Sequence, residues 1–172
     1  MTTLPNTALL IIDVQKELFE KSTPIYKADT LLENICFLID RAHRTGVPVF
    51  FIQHSSDKIL LRGTDGWQLH PRLQPQENDH VVEKHHGNAF EKTNLKAELD
   101  ALNVGRLIIT GLVSHGCVKA TSLGACELGY AVVLVKDGHS NFSSKAPEMI
   151  AEWNEKLSHV GVNLLETQEI NF

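Results

Sequence analysis

The run Ala8-Leu9-Leu10-Ile11-Ile12 is continuously apolar and ends on Asp13, a pattern that suits a strand covered on both faces. Leu31, Leu32, Ile35, Leu38, Ile39 and Ala42 then recur at helical spacing, and Gly46 stands where a helix carboxyl end favours glycine. Val47 to Ile52 reads as a second strand, with Pro48 near its start, where a missing N–H does least harm. From Gln53 to His80 the periodicity gives way to glycine, proline, histidine and charge; a connection that long is usually functional or an insertion. Val81-Val82 is a short strand ending at Glu83-Lys84, Leu95 to Leu102 a modest helix, and Arg106 to Thr110 a further buried strand. Beyond Cys117 the composition predicts a helix over Val118 to Leu128, stopped by Gly129. A strand over Ala131 to Val135, a helix over Pro147 to His159 and a last strand over Val162 to Leu165 complete the chain. Strands alternating with helices predict an α/β fold: a three-layer, doubly wound, mainly parallel sheet with helices on both faces, Rossmann-like in outline.

Composition narrows the partners. The 172 residues suffice for one core, and no repeat, low-complexity tract or linker divides them, so residues 1–172 read as a single domain. A net charge of −5 supplies no broad positive surface, which argues against nucleic acid. The polar start Met1 to Asn6 and the early end of the first apolar run at Asp13 predict neither a signal segment nor a membrane span, hence a cytoplasmic protein. Cys36, Cys117 and Cys126 are odd in number and irregular in spacing, fitting free thiols rather than a disulfide framework or paired zinc motif. Cys36 and Cys126 lie in apolar helical patterns and read as core filling.

In an open parallel sheet, ligands bind beyond the carboxyl ends of the strands. Three reactive side chains fall there: Asp13 after the first strand, Lys84 after the short third one, and Cys117 at the start of the helix after the fourth. A thiol at a helix amino terminus is expected to be biased toward thiolate, and the unpaired N–H groups there suit an oxyanion. Asp13 suits a proton acceptor, or equally a cap on a short helix near Val14 to Phe19. Lys84 in isolation reads as an ordinary surface charge.

The segments Ala-Leu-Leu-Ile-Ile-Asp13-Val-Gln, Val-Val-Glu-Lys84-His-His-Gly-Asn-Ala-Phe90 and Ile-Thr-Gly111-Leu-Val-Ser-His-Gly-Cys117-Val together resemble the three signature segments of the isochorismatase-like cysteine hydrolases, which include nicotinamidases, carbamoylsarcosine amidases and biuret or ureidoacrylate hydrolases. The resemblance implies a catalytic triad of Cys117 as nucleophile, Asp13 as base and Lys84 orienting the pair. It also implies a cis Leu112-Val113 peptide aiming the Val113 N–H into an oxyanion hole beside that of Cys117. A thioester intermediate, a small amide or ureide substrate and a homo-oligomer are further implications.

Nicotinamidases of this family hold a metal through an Asp-x-His pair after the second strand and a later His. Here the stretch reads Ile52-Gln53-His54, with His70 further on, so two imidazoles without a carboxylate predict a metal-independent site needing no cofactor. His54, Phe19, Trp67, Phe90 and His115 are candidate pocket residues, Trp67 as a cover in its glycine-rich loop. His115 is a rival base, His139 also lies at the active edge, and His85 and His86 read as solvated loop. Two other readings stay open: a catalytically silent binding or assembly module, and a thiol redox protein using Cys117.

Overall fold

In the computed structural model, which describes residues 6–172, the first apolar run forms β1 (Asn6–Ile12) at the middle of the sheet. The polar start read over residues 1–5 lies outside the described residues. β2 (Val49–His54), β3 (His80–Lys84), β4 (Val104–Leu112), β5 (Ala131–Ser140) and β6 (Asn163–Leu165) join β1 in the order β3-β2-β1-β4-β5-β6, every pairing parallel. Strand order reverses between β1 and β4, and there the carboxyl ends of the two strands open a crevice.

The continuous apolar runs are explained by burial on both faces. In β1, Leu9 and Ile11 face one core with Leu31, Leu32, Ile35 and Leu38 of α2 (Ala28–Thr45), while Ala8, Leu10 and Ile12 face the other. That second core takes Leu95 and Leu99 from α3 (Leu95–Ala101), Ala125 from α4 (Lys119–Glu127) and Leu157 from α5 (Ala146–His159). Gly46 ends α2 in the left-handed region at φ 73°, its N–H donating to Ala42 O. Among the described residues, no helix is long and apolar enough to cross a membrane.

Two elements differ from expectation. β5 runs on to Ser140 through the polar stretch Lys136-Asp137-Gly138-His139. The register passes from Ile109 opposite Leu134 to Gly111 opposite His139, so the extra residues bulge out and hydropathy alone does not mark the strand. The chain between β4 and α4 makes a wide turn over Ser114–Val118, closed by the Val118 N–H on Val113 O at 3.3 Å, before regular helix begins at Lys119. Cys117 therefore lies in this turn, two residues ahead of α4.

Candidate active site

β1, β3 and β4 end at the same edge and deliver Asp13, Lys84 and Cys117 to one point. Lys84 has no exposed surface and Asp13 only 4%. The Lys84 ammonium donates to Asp13 Oδ2 at 3.1 Å, to Cys117 Sγ at 3.1 Å, to His54 Nδ1 at 2.8 Å and to the His86 carbonyl at 3.1 Å. Lys84 is thus a wholly enclosed cation, not the solvated charge its residue type suggests. The second carboxylate oxygen, Asp13 Oδ1, is buried without a hydrogen-bond partner among the described residues. Asp13 does not cap α1 (Lys16–Phe19): Gln15 holds the capping position, and no side chain bonds there. Asp13 adopts φ 54°, a left-handed conformation that Asp tolerates better than most residues.

β1 and β4 approach so closely here that Gly111 is required. At φ 119°, a Cβ on Gly111 would fall 2.1 Å from Ile12 O. The Leu112-Val113 peptide that follows is cis, Leu112 is buried and Val113 half-buried.

The electrostatics correct the expectation of a resting thiolate. Cys117 is pushed up to about 12 from an ordinary 9.0, by burial first and the Asp13 carboxylate second, against the pull of Lys84. A helix-start position lowers a thiol pKa only where the terminal N–H groups outweigh desolvation, and Cys117 sits ahead of the regular helix in an enclosed crevice. The nucleophile candidate is a neutral thiol facing a carboxylate. A redox role founded on an acidic thiol loses its basis with it. Burial likewise raises Cys36 and Cys126, which pack at the core margins.

Asp13, His54 and Cys117 have donor atoms within 4.8 Å of one another, as a metal site would. These residues do not fit a cation, because the Lys84 ammonium already touches all three. Ile52 is fully buried in the core, and His70 accepts from the Arg72 N–H and packs on Phe19 with ring centroids 4.7 Å apart.

The structure divides the remaining pocket candidates. Phe19 lines a recess of about 280 Å³ with Lys16, Glu20, His70 and Pro71. Trp67 is no free cover: its indole N–H donates to Ser55 Oγ at 2.8 Å, and its carbonyl accepts from Gln15 at 2.8 Å and Gln53 at 3.1 Å. Phe90 leaves the crevice. The chain after Lys84 descends α4, with Ala89 N–H on Thr121 Oγ1 and Asn88 against Gly124, and the Phe90 ring stacks on Tyr130 just before β5 begins, toward the opposite edge. His139 is excluded as a base, being buried with both ring nitrogens bonded, to Ser114 Oγ and Asn154 Oδ1 at 2.8 Å each. His115 is half-buried, and among the described residues its Nδ1 has no partner and no hydrogen bond joins it to Cys117. His86, read as solvated loop, contributes its carbonyl to Lys84.

Sequence reasoning missed Gln15. Its side chain grips the backbone of His54 from both sides, accepting from His54 N–H at 2.9 Å and donating to His54 O at 3.0 Å. An amide three residues beyond an apolar strand was the available signal, and it carries no periodicity.

The description Isochorismatase domain belongs to the family model that matches residues 7–169. A streptothricin hydrolase of Streptomyces noursei is 34% identical over 84% of this chain and 53% of its own length, so the match spans about half of that relative. Nicotinamidase 3 of Arabidopsis thaliana is 29% identical over 82% of this chain and 76% of its own. The crystal structure of an isochorismatase from Pseudomonas putida superposes with a TM-score of 0.90 at 26% identity, covering 98% of this chain and 94% of that one.

Proposed function

This chain belongs to the isochorismatase family of hydrolases, and from that premise we propose that it is a metal-independent cysteine hydrolase cleaving the C–N bond of a small amide or ureide. One observation carries the reading. The enclosed ammonium of Lys84 holds Asp13 Oδ2 and Cys117 Sγ at 3.1 Å each and leaves Asp13 Oδ1 buried with no partner among the described residues, free to accept a proton beside a thiol.

With the thiol neutral at rest, deprotonation accompanies attack. The Cys117 proton passes to Asp13 as sulfur bonds to the substrate carbonyl carbon, and the carbonyl π electrons move onto oxygen. That oxyanion takes hydrogen bonds from the Val113 and Cys117 N–H groups. Collapse to the thioester expels ammonia or an amine, which leaves with the proton from Asp13. Water then attacks the thioester, losing a proton to Asp13, and the carboxylic acid departs as the thiol is restored. Lys84 holds the Asp13 carboxylate in place through its hydrogen bond and partly offsets charge developing on sulfur. Three free cysteines suit a reducing, cytoplasmic setting, and the family resemblance extends the proposal to a homo-oligomer, to be checked by light scattering.

The test is ammonia release across a panel of amides and ureides, with streptothricin included because a relative's name points to it. Turnover is expected from the native chain and from neither Cys117→Ala nor Asp13→Asn. Activity surviving Cys117→Ala refutes the nucleophile, and near-native kcat in Asp13→Asn moves the base role to His115.

A further inference from the structure

Among the described residues, His54 is the one side chain hydrogen-bonded to Lys84 to which the proposed reaction gives no chemical step. Its tautomer follows from the contact. An ammonium only donates, so Nδ1, at 2.8 Å from Lys84 Nζ, accepts, and the neutral ring carries its proton on Nε2. Burial and the Lys84 charge both favour the neutral imidazole. No hydrogen bond to Nε2 is formed among the described residues, and His54 is only half-buried. The ring does not hang from a loose loop. His54 ends β2 in register with Lys84, and Gln15 clamps its N–H and its carbonyl at once. The result is a rigid N–H donor beside Asp13 and Cys117, at the position where a metal-dependent relative would keep a ligand.

We propose that His54 Nε2–H is a substrate-reading donor, so that this site prefers amides with a second hydrogen-bond acceptor next to the scissile group, such as the 1,3-related carbonyl of an N-acylurea, over simple amides. The inference rests on the hydrolase reading for what occupies the crevice. The geometry supports it because Asp13 and Lys84 face the sulfur, the proposed oxyanion site uses the backbone N–H groups of the nucleophile turn, and His54, held beside Asp13 and Cys117, adds a side-chain N–H for the remainder of the substrate. A donor fixed in advance loses no rotamer freedom on binding, and a substrate without an acceptor leaves it unpaired.

The test reads binding without needing turnover: protection of Cys117 from iodoacetamide at pH 9, followed on the Cys117 peptide by mass spectrometry, with N-acetylurea or propionamide as protectant. Native protein is expected to be half-protected by N-acetylurea at a concentration about fivefold lower than by propionamide, the worth of one neutral hydrogen bond. His54→Asn keeps an acceptor at the reach of Nδ1 but loses the donor at Nε2, so it should lose the preference while propionamide still protects, which shows an intact crevice. His54→Gln places an amide N–H at the reach of Nε2 and should retain the preference. Equal protection by both probes in the native protein, or a preference that persists in His54→Asn, overturns the proposal. Protection of the expected pattern with no ammonia released from any amide would instead overturn the hydrolase reading and leave the role of His54 standing.

Discussion

Replacing Lys84 by Met removes the enclosed ammonium and keeps an unbranched stem in the same space. Lys84 Nζ and Asp13 Oδ2 are 3.1 Å apart, with almost no solvent at either side chain. Two unit charges at that distance attract by about 5 kcal/mol at an effective dielectric constant of about 20, and the hydration both groups give up on burial offsets much of this. The net worth of the intact pair is therefore small, whereas removing one partner strands a charge. For Lys84→Met that cost is about 3–5 kcal/mol, a large part of the ~5–15 kcal/mol that stabilises a typical domain. Asp13→Asn placed in the Lys84→Met background removes the stranded carboxylate, so the double variant should be more stable than Lys84→Met alone. A cycle of native, both single variants and the double variant, unfolded in urea and followed by tryptophan fluorescence, is expected to show coupling of about 2–3 kcal/mol. Single-variant losses that add to within ~0.5 kcal/mol would refute the reading of Lys84 and Asp13 as a mutually dependent buried pair.

Alkylation of Cys117 should be slow at pH 7 and climb without a plateau through pH 10, since the thiol is held near 12; a plateau below pH 8.5 would mean a stable thiolate. The sign for stability follows: with the folded-state pKa raised, this thiol's contribution is complete below 9.0 and is lost as pH rises from there toward 12, which urea unfolding of native protein against Cys117→Ala will measure. Gly111→Ala forces a methyl within 2.1 Å of Ile12 O at φ 119°, so it should cost at least ~3 kcal/mol and lower the melting temperature by about 6–12 °C; a native melting temperature would mean the strands part without penalty. Gln15→Leu strips partners from His54 N–H, His54 O and Trp67 O, and calorimetry should register a loss of at least ~2 kcal/mol.

Where a physical constraint acts locally, the sequence expresses it plainly. Ala8 to Ile12 is apolar throughout because both faces of β1 are covered, and Gly46 marks the end of α2 because the chain must turn left-handed there. The convergence of Asp13, Lys84 and Cys117 was legible because each lies at or just beyond the carboxyl end of a strand of one parallel sheet, and those three ends share one edge. What escaped depended on contacts between distant segments. The second half of β5 is polar, and its pairing with β4 resumes only after a bulge. Phe90 follows the Lys84 signature, yet the path of residues 85–90 along α4 is decided by Thr121 and Gly124, more than thirty residues away. The direction of the Cys117 shift was missed for a related reason: helix-end charge can be judged from local sequence, whereas desolvation depends on everything that closes over the thiol.

Four acceptors surround an ammonium that has three N–H groups. At any instant at least one contact is shared or unserved, and a turn about the Cε–Nζ bond of Lys84 passes a hydrogen bond from one acceptor to another without moving a heavy atom. In the proposed reaction the demand of sulfur for a donor would rise and fall between thiol and thioester, and the other acceptors, His54 Nδ1 and His86 O, would take up the N–H that sulfur releases. On that proposal the charged centre of the site would follow the reaction by rotation alone, with little reorganisation to oppose each step.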